Sequence, residues 1–259
     1  MKLKLYQIDA FTDRVFSGNP AAVCPLTEWL DDQTLLAIAA ENNLSETAFF
    51  VPQEENFHLR WFTPKAEVDL CGHATLATAF VIFDILKLAR QHVSFQTKSG
   101  ILTVTKENAL FTMDFPSREP LPCPVPRDLL GSLKIKPVEV LKSRDFLVLF
   151  ENEKIIRQLS PDMALLMNLD ALGVIVTAPG EKVDFVSRFF APKVGVPEDP
   201  VTGSAHSTLI PYWAKKLRKT KLHAHQISKR GGELFCELRG DRVKISGKAV
   251  KYLEGEIFI

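Results

Sequence analysis

Polar and apolar residues alternate from Leu3 to Ile8, the two-residue rhythm of a strand with one buried face. Turn chemistry from Arg14 to Pro20 (RVFSGNP) separates it from the short apolar run Ala21 to Leu26. The rhythm then lengthens. Leu35, Leu36, Ile38 and Ala39 recur at helical spacing behind Asp31 and Asp32, and Asn42 and Asn43 can end that helix in a left-handed conformation. Thr47 to Val51 and His58 to Phe62 return to strand character, which places Ser45 and Glu46 at a helix-to-strand junction. His73 to Leu88 is apolar almost all round, broken only by Asp84 and Lys87, and predicts a helix enclosed by other elements. Three strands follow, Val93 to Thr97, Ile101 to Lys106 and Ala109 to Asp114, joined by turns at Ser99-Gly100 and Glu107-Asn108.

Five prolines between Pro116 and Pro126 mark a boundary, predicting domains 1–117 and 118–259 with the last strand able to return to the first. Beyond it the pattern predicts strands near Val138 to Leu141 and Phe146 to Phe150, then helices over Asn152 to Gln158 and Asp162 to Met167. Strands at Leu172 to Thr177 and Val183 to Phe190 lead to a second enclosed helix, Gly203 to Leu217. Leu222 to Ile227, Glu233 to Leu238, Arg242 to Ser246 and a strand before Ile259 complete the chain.

The two halves share more than a plan. Leu59 to Val68 (LRWFTPKAEV) set under Ser187 to Val196 (SRFFAPKVGV) is identical at five of ten positions, including Arg60 with Arg188 and Lys65 with Lys193. After a three-residue insertion in the later copy, Gly72, His73 and Ala74 fall on Gly203, Ser204 and Ala205. Two copies at so long a period exclude a solenoid and predict a duplicated domain. The expected architecture is α/β (α+β): two pseudo-symmetric domains, each a curved sheet or barrel around a central helix, with a cleft between them.

A chain of 259 residues that is 46% hydrophobic has material for two modest cores. With 32 basic and 31 acidic residues and no block of like charge, it is expected to bind neither nucleic acid nor membrane, and a small neutral or anionic ligand fits better. Cys24, Cys71, Cys123 and Cys236 form no CxxC pair, so neither a zinc ribbon nor a disulfide framework is expected, and reduced thiols suggest the cytoplasm. The first residues, MKLKLYQIDAF, lack the continuous apolar core of a secretory signal.

Each special loop ends where a helix begins at small residues. Unpaired N–H groups and partial positive charge at a helix start attract an anion such as a carboxylate; Gly72 and Gly203 could equally be tight-turn residues. Glu46, beside an apolar run, is either a partly buried proton carrier or a solvent-facing loop acid. Asp199 is a second acid or a helix cap. His73 could polarise a substrate or be structural, His206 ranks lower, and Cys71 could be an activated thiol. His223 and His225 share a strand face without an evident carboxylate partner, so no metal is expected.

The segments GNPAAV (Gly18 to Val23), LSETAF (Leu44 to Phe49), RWFTP (Arg60 to Pro64), CGHATLA (Cys71 to Ala77), EDPVTGSAH (Glu198 to His206) and RGGEL (Arg230 to Leu234) resemble the PhzF-like phenazine-biosynthesis family, in order and over nearly the whole chain. The resemblance implies a diaminopimelate-epimerase-like fold, a homodimer and no cofactor. In the family's characterised isomerase a glutamate matching Glu46 moves a proton between carbons of an unsaturated cyclic amino acid, assisted by residues matching His73, Asp199 and Ser204. Catalysis is thus expected at Glu46, His73 and Asp199, and contact with a small carboxylate-bearing substrate at Ser45, Gly72, Ala74, Gly203, Ser204, Gly231 and Gly232. Two other readings stand beside a single-base isomerase: a non-catalytic ligand-binding or protein-interaction member, and an epimerase using Cys71 with Glu46.

Overall fold

A computed structural model describes residues 1–259. The chain divides into two compact units, Met1–Asp114 with Ser246–Ile259, and Phe115–Ile245. The division falls after Asp114 rather than after Ser117, and the terminal strand lies in the first unit.

The first unit contains β1 (Lys2–Ala10), β2 (Asn19–Pro25), α1 (Asp32–Asn42), β3 (Glu46–Gln53), β4 (Asn56–Phe62), β5 (Glu67–Val68), α2 (Gly72–Phe80), β6 (His92–Thr97), β7 (Gly100–Glu107) and β8 (Leu110–Pro116), which runs into the division. The second contains β9 (Leu121–Pro122), α3 (Arg127–Leu133), β10 (Glu139–Lys142), β11 (Phe146–Leu149), α4 (Glu153–Gln158), α5 (Met163–Met167), β12 (Val174–Pro179), β13 (Phe185–Ala191), β14 (Val196–Asp199), α6 (Gly203–Leu217), β15 (Lys221–Gln226), β16 (Gly232–Arg239) and most of β17 (Arg242–Gly247), whose last two residues pass the second division. The chain closes with β18 (Ala249–Phe258) in the first unit.

Duplication is visible in the pairing pattern of each unit taken by itself. In the first, β2 pairs parallel with β3, β3 antiparallel with β4, β4 with the short β5, and β4 parallel with β6, which pairs antiparallel with β7. In the second, β11, β12, β13, β14, β15 and β16 repeat that series in the same senses. In both copies the helix lies between the short strand and the following parallel strand. The two short strands sit inside stretches that read as loops from sequence, because two to four residues are too few to show an alternation.

Arg60 and Arg188, identical in the repeat, do matching work. Arg60 Nε and Nη2 donate to Glu67 on β5 at 2.8 and 2.9 Å, and Arg188 donates through the same atoms to Glu198 on β14 at 2.7 and 3.0 Å. Each guanidinium ties the strand that enters a special loop to the strand that leaves it, with the two-pronged geometry that suits Arg to carboxylates.

Helix α2 is enclosed: every residue from His73 to Ala79 is buried, and it packs on β1, β2, β3 and β18. Its small side chains, Ala74, Ala77 and Ala79, allow that close approach. The helix expected to run to Leu88 keeps α geometry only to Phe80, and Val81–Ile85 is π-helical, with Leu86 N–H bonded to Val81 O at 2.8 Å. Lys87, at φ 56°, then turns the chain away. In the second unit α6 is buried along ten of its fifteen residues and packs on β15 and β16; Trp213 donates to Thr177 Oγ1 at 3.0 Å and stacks on Phe185. Helix α3, absent from the sequence reading, buries only Leu129, Ser132 and Leu133, too short a period to stand out. No helix is long and apolar enough to cross a membrane.

Candidate active site

In the first unit, α1 ends as its asparagines suggest: Asn43 is left-handed and its N–H bonds Ala39 O. Three residues later Glu46 opens β3 opposite Ala21 of β2. The side chain is largely covered, 17% exposed, and its Oε2 lies 3.1 Å from Nε2 of His73, on the first turn of α2. That separation is short, but the alignment is too poor for a hydrogen bond, and Oε2 is buried without one. A buried carboxylate oxygen is costly to leave unsatisfied, so this atom can take a further hydrogen-bond donor.

His73 is anchored from its other side. Asn19, fully buried at the start of β2, places its amide nitrogen 3.2 Å from His73 Nδ1. In that orientation Asn19 donates to Nδ1 and the ring proton sits on Nε2, facing Glu46. Burial pushes His73 towards the neutral form, yet the neighbouring Cys71 sulfur and Glu46 carboxylate outweigh it and hold the imidazole well above its ordinary range. Cys71 itself is pushed up to about 11, first by burial and then by Glu46, so at neutral pH it is a thiol and Glu46 supplies the charge that favours the imidazolium. The charged ring needs an acceptor at Nδ1, which the Asn19 amide provides by exchanging its oxygen and nitrogen, groups of nearly the same shape.

Cys71 is therefore a buried thiol rather than an activated one. It caps α2 with extended backbone and no side-chain cap bond, and its Sγ lies 3.5 Å from Nδ1 of His73 in the helix's first turn. Ser45 is half-buried and adjoins Glu46, while Gly72 opens α2 with Cys71 as its N-cap. Donor atoms of Glu46, Cys71 and His73 lie within 4.8 Å of one another, but an ion there would have to displace the high-pKa thiol proton.

In the second unit, α6 starts at Gly203 after Thr202, whose side chain makes no cap bond to the helix. Asp199, at the end of β14, accepts from Thr202 Oγ1 at 2.5 Å, which links it to the capping residue of α6. Gln226, buried at the end of β15, accepts from Thr202 N–H at 2.8 Å and donates to Asp199 O at 2.8 Å. Gly231, left-handed at φ 69°, donates to Ser228 Oγ at 3.1 Å, and Ser228 donates to Pro200 O at 2.8 Å. The turn that ends at Gly232, the first residue of β16, is thereby stitched to the loop before α6.

Ser204 Oγ accepts from Arg144 Nη2 at 3.0 Å, and Arg144 also donates to the buried Asp145 at 3.3 Å. Arg118, whose N–H bonds Ser207 O, completes the corner; burial and then Arg144 lower its pKa against the pull of Asp145. Two guanidiniums, one carboxylate and a helix start leave the corner net positive, the electrostatics an anion seeks. Asn19, Gln226, Arg118 and Arg144 are not among the residues expected from sequence. Asn19 lies within GNPAAV, where a polar residue before proline beside an apolar run is a local signal; the others carry no local mark.

His206 is structural. It is fully buried, donates from Nδ1 to Thr202 O at 2.8 Å, and burial depresses its pKa to about 4 against the help of that bond. His223 and His225, expected to lack a carboxylate partner, have one: Glu233 Oε1 lies 2.9 Å from His223 Nε2.

The family model described as phenazine biosynthesis-like protein (PhzC-PhzF) matches residues 8–255. An uncharacterised isomerase of Pseudomonas aeruginosa is 55% identical over 259 residues, covering 100% of both chains. A crystal structure of a PhzF-family phenazine biosynthesis protein from Enterococcus faecalis superposes with TM-score 0.98 at 47% identity and full coverage of both chains. A hydroxyproline epimerase from Agrobacterium vitis, at 10% identity, superposes with TM-score 0.64 over 99% of this chain and 92% of its own. That likeness concerns the fold alone, which is diaminopimelate-epimerase-like.

Proposed function

Because this chain belongs to the phenazine biosynthesis-like (PhzC-PhzF) family, we propose that it is an isomerase that shifts a proton on a small carboxylate-bearing molecule, with Glu46 as the single base. The observation that carries the reading is the buried Glu46 Oε2, 3.1 Å from His73 Nε2 and without an aligned hydrogen bond. In this mechanism Glu46 takes a proton from a carbon acidified by conjugation with the substrate's acid group, leaving the electron pair delocalised. It then delivers a proton, which exchanges with solvent while held on the carboxyl, to another carbon of the conjugated system, so that a double bond moves and the substrate's composition is unchanged. His73, charged or carrying its proton on Nε2, and the free N–H groups at the start of α2 stabilise the negative charge that develops. The proposal assigns anion binding to Gly203 and Ser204 at the start of α6, supported by Arg144 and Arg118, with Asp199 as an assisting acid and Ser45, Gly72, Ala74, Gly231 and Gly232 as contacts. The mechanism calls on no cofactor.

A two-base inversion through Cys71 is less well supported, since a thiol pushed up to about 11 is a poor proton acceptor at neutral pH. The test is deuterium incorporation from D2O into a panel of small unsaturated and α-amino acids, followed by NMR. Glu46→Gln is expected to abolish exchange at the reacting carbon while circular dichroism stays native. Exchange at the unaltered rate in that variant would remove Glu46 from the role. Cys71→Ser is expected to keep exchange.

A further inference from the structure

We propose that His223, His225 and Glu233 form a binding site for a divalent transition-metal ion, with Zn2+ the best match. Strand alternation sets the geometry. His223 and His225 are two residues apart on β15, so both project from one face, while Leu222, Ala224 and Gln226 are buried on the other and fix the strand. The register of β15 with β16 places Glu233 directly across from His225. Its Oε1 is 2.9 Å from His223 Nε2 and 3.8 Å from His225 Nε2, and the three donor atoms lie within 4.8 Å of one another.

Tetrahedral Zn2+, with bonds of about 2.0–2.1 Å, places its donor atoms roughly 3.3 Å apart, so small side-chain rotations bring these three groups onto one ion. The rings are already ordered. His223 stacks on Phe235 with centroids 4.9 Å apart and 4° between planes, and His225 meets His223 edge-on at 5.3 Å. The His223 backbone is pinned by its N–H bond to Asp184 Oδ2 at 2.7 Å. Preorganised ligands lose little freedom on binding, which favours affinity.

Two imidazoles and one carboxylate suit Zn2+ and its borderline neighbours better than Mg2+ or Ca2+, which prefer oxygen donors throughout. The three side chains are 37%, 39% and 38% exposed, so a fourth position is open to water or a ligand. Beside His225 lies a cleft of about 220 Å3 lined by Glu153, Arg157, Glu181, Lys182 and Val183, which gives solvent access. Glu153 there is occupied by Arg157 and by the Glu181 N–H at 3.0 Å, which leaves Glu233 as the ligating acid.

The test is calorimetric titration of the untagged chain with Zn2+ at neutral pH, with Co2+ as a spectroscopic probe through its visible bands. One ion per chain is expected. His225→Asn and Glu233→Gln are each expected to weaken binding at least tenfold, and the double variant His223→Asn/His225→Asn to abolish it, all with native circular dichroism. Cys71→Ser is expected to bind as the unaltered chain does. No binding to the unaltered chain, a loss below tenfold in the single variants, or loss in Cys71→Ser, which would locate the ion at Glu46, Cys71 and His73, would each overturn the proposal.

Discussion

The pair formed by Arg60 and Glu67 holds the loop that delivers His73, and its contribution can be worked out from the structure. Arg60 is 15% exposed and Glu67 14% exposed at the side chain, and the contact is two-pronged. The Arg60 hydrogen bonds, opposed by burial and reinforced by Lys98, hold the Glu67 carboxyl at about 2 against an ordinary 4.5. A gap of about 2.5 pH units corresponds to roughly 3 kcal/mol, in line with the cost of breaking a largely buried pair. Arg60→Met is thus expected to destabilise the protein by about 3 kcal/mol at pH 7 and, at this size, to lower Tm by roughly 6–12 °C.

The pH dependence identifies the cause. A carboxyl with a depressed folded-state pKa contributes stability above its unfolded pKa and loses it as pH falls towards the folded value, so the window runs from about 4.5 down to about 2. The difference between unaltered chain and variant, measured by urea unfolding, should shrink to about half by pH 3 and stay constant above about pH 5.5. Adding Glu67→Gln should recover part of the loss, because no largely buried charge is then left unpaired; Lys98 and Asp32, which also lose a partner, are exposed to water. A difference below about 1 kcal/mol at pH 7, or one that does not change down to pH 3, would refute the reasoning.

His206 gives a second pH signature of the opposite residue type. Its folded pKa, about 4, lies below its unfolded value, so the unfolded chain binds the extra proton and stability falls as pH drops from about 6.5 towards 4; His206→Gln should flatten that slope in urea titrations, and an unchanged slope would place the proton elsewhere. Ser204→Ala, which removes the hydroxyl held by Arg144 at 3.0 Å, should raise KM for an acid substrate about threefold to tenfold with little change in kcat. An unaltered KM would take Ser204 out of anion binding.

What the sequence determined by itself was short-ranged. The caps of α1, the apolar run of α2 and the duplicated loops could be read because the residues that produce them are neighbours along the chain: Asp31 caps Thr34 three residues away, and Asn43 ends the same helix. The repeat also marked Arg60 and Arg188 before their partners were known. Partners were what tertiary structure decided. Glu46 meets His73 because a parallel pairing of β2 with β3 brings Asn19, Glu46 and the start of α2 together, and no local pattern encodes which strands pair. Arg144 reaches Ser204 across sixty residues. His223 and His225 lacked a carboxylate on paper only because strand register, which sets what lies opposite, is a property of the assembled sheet; a slip of one residue would have turned Glu233 to the other face.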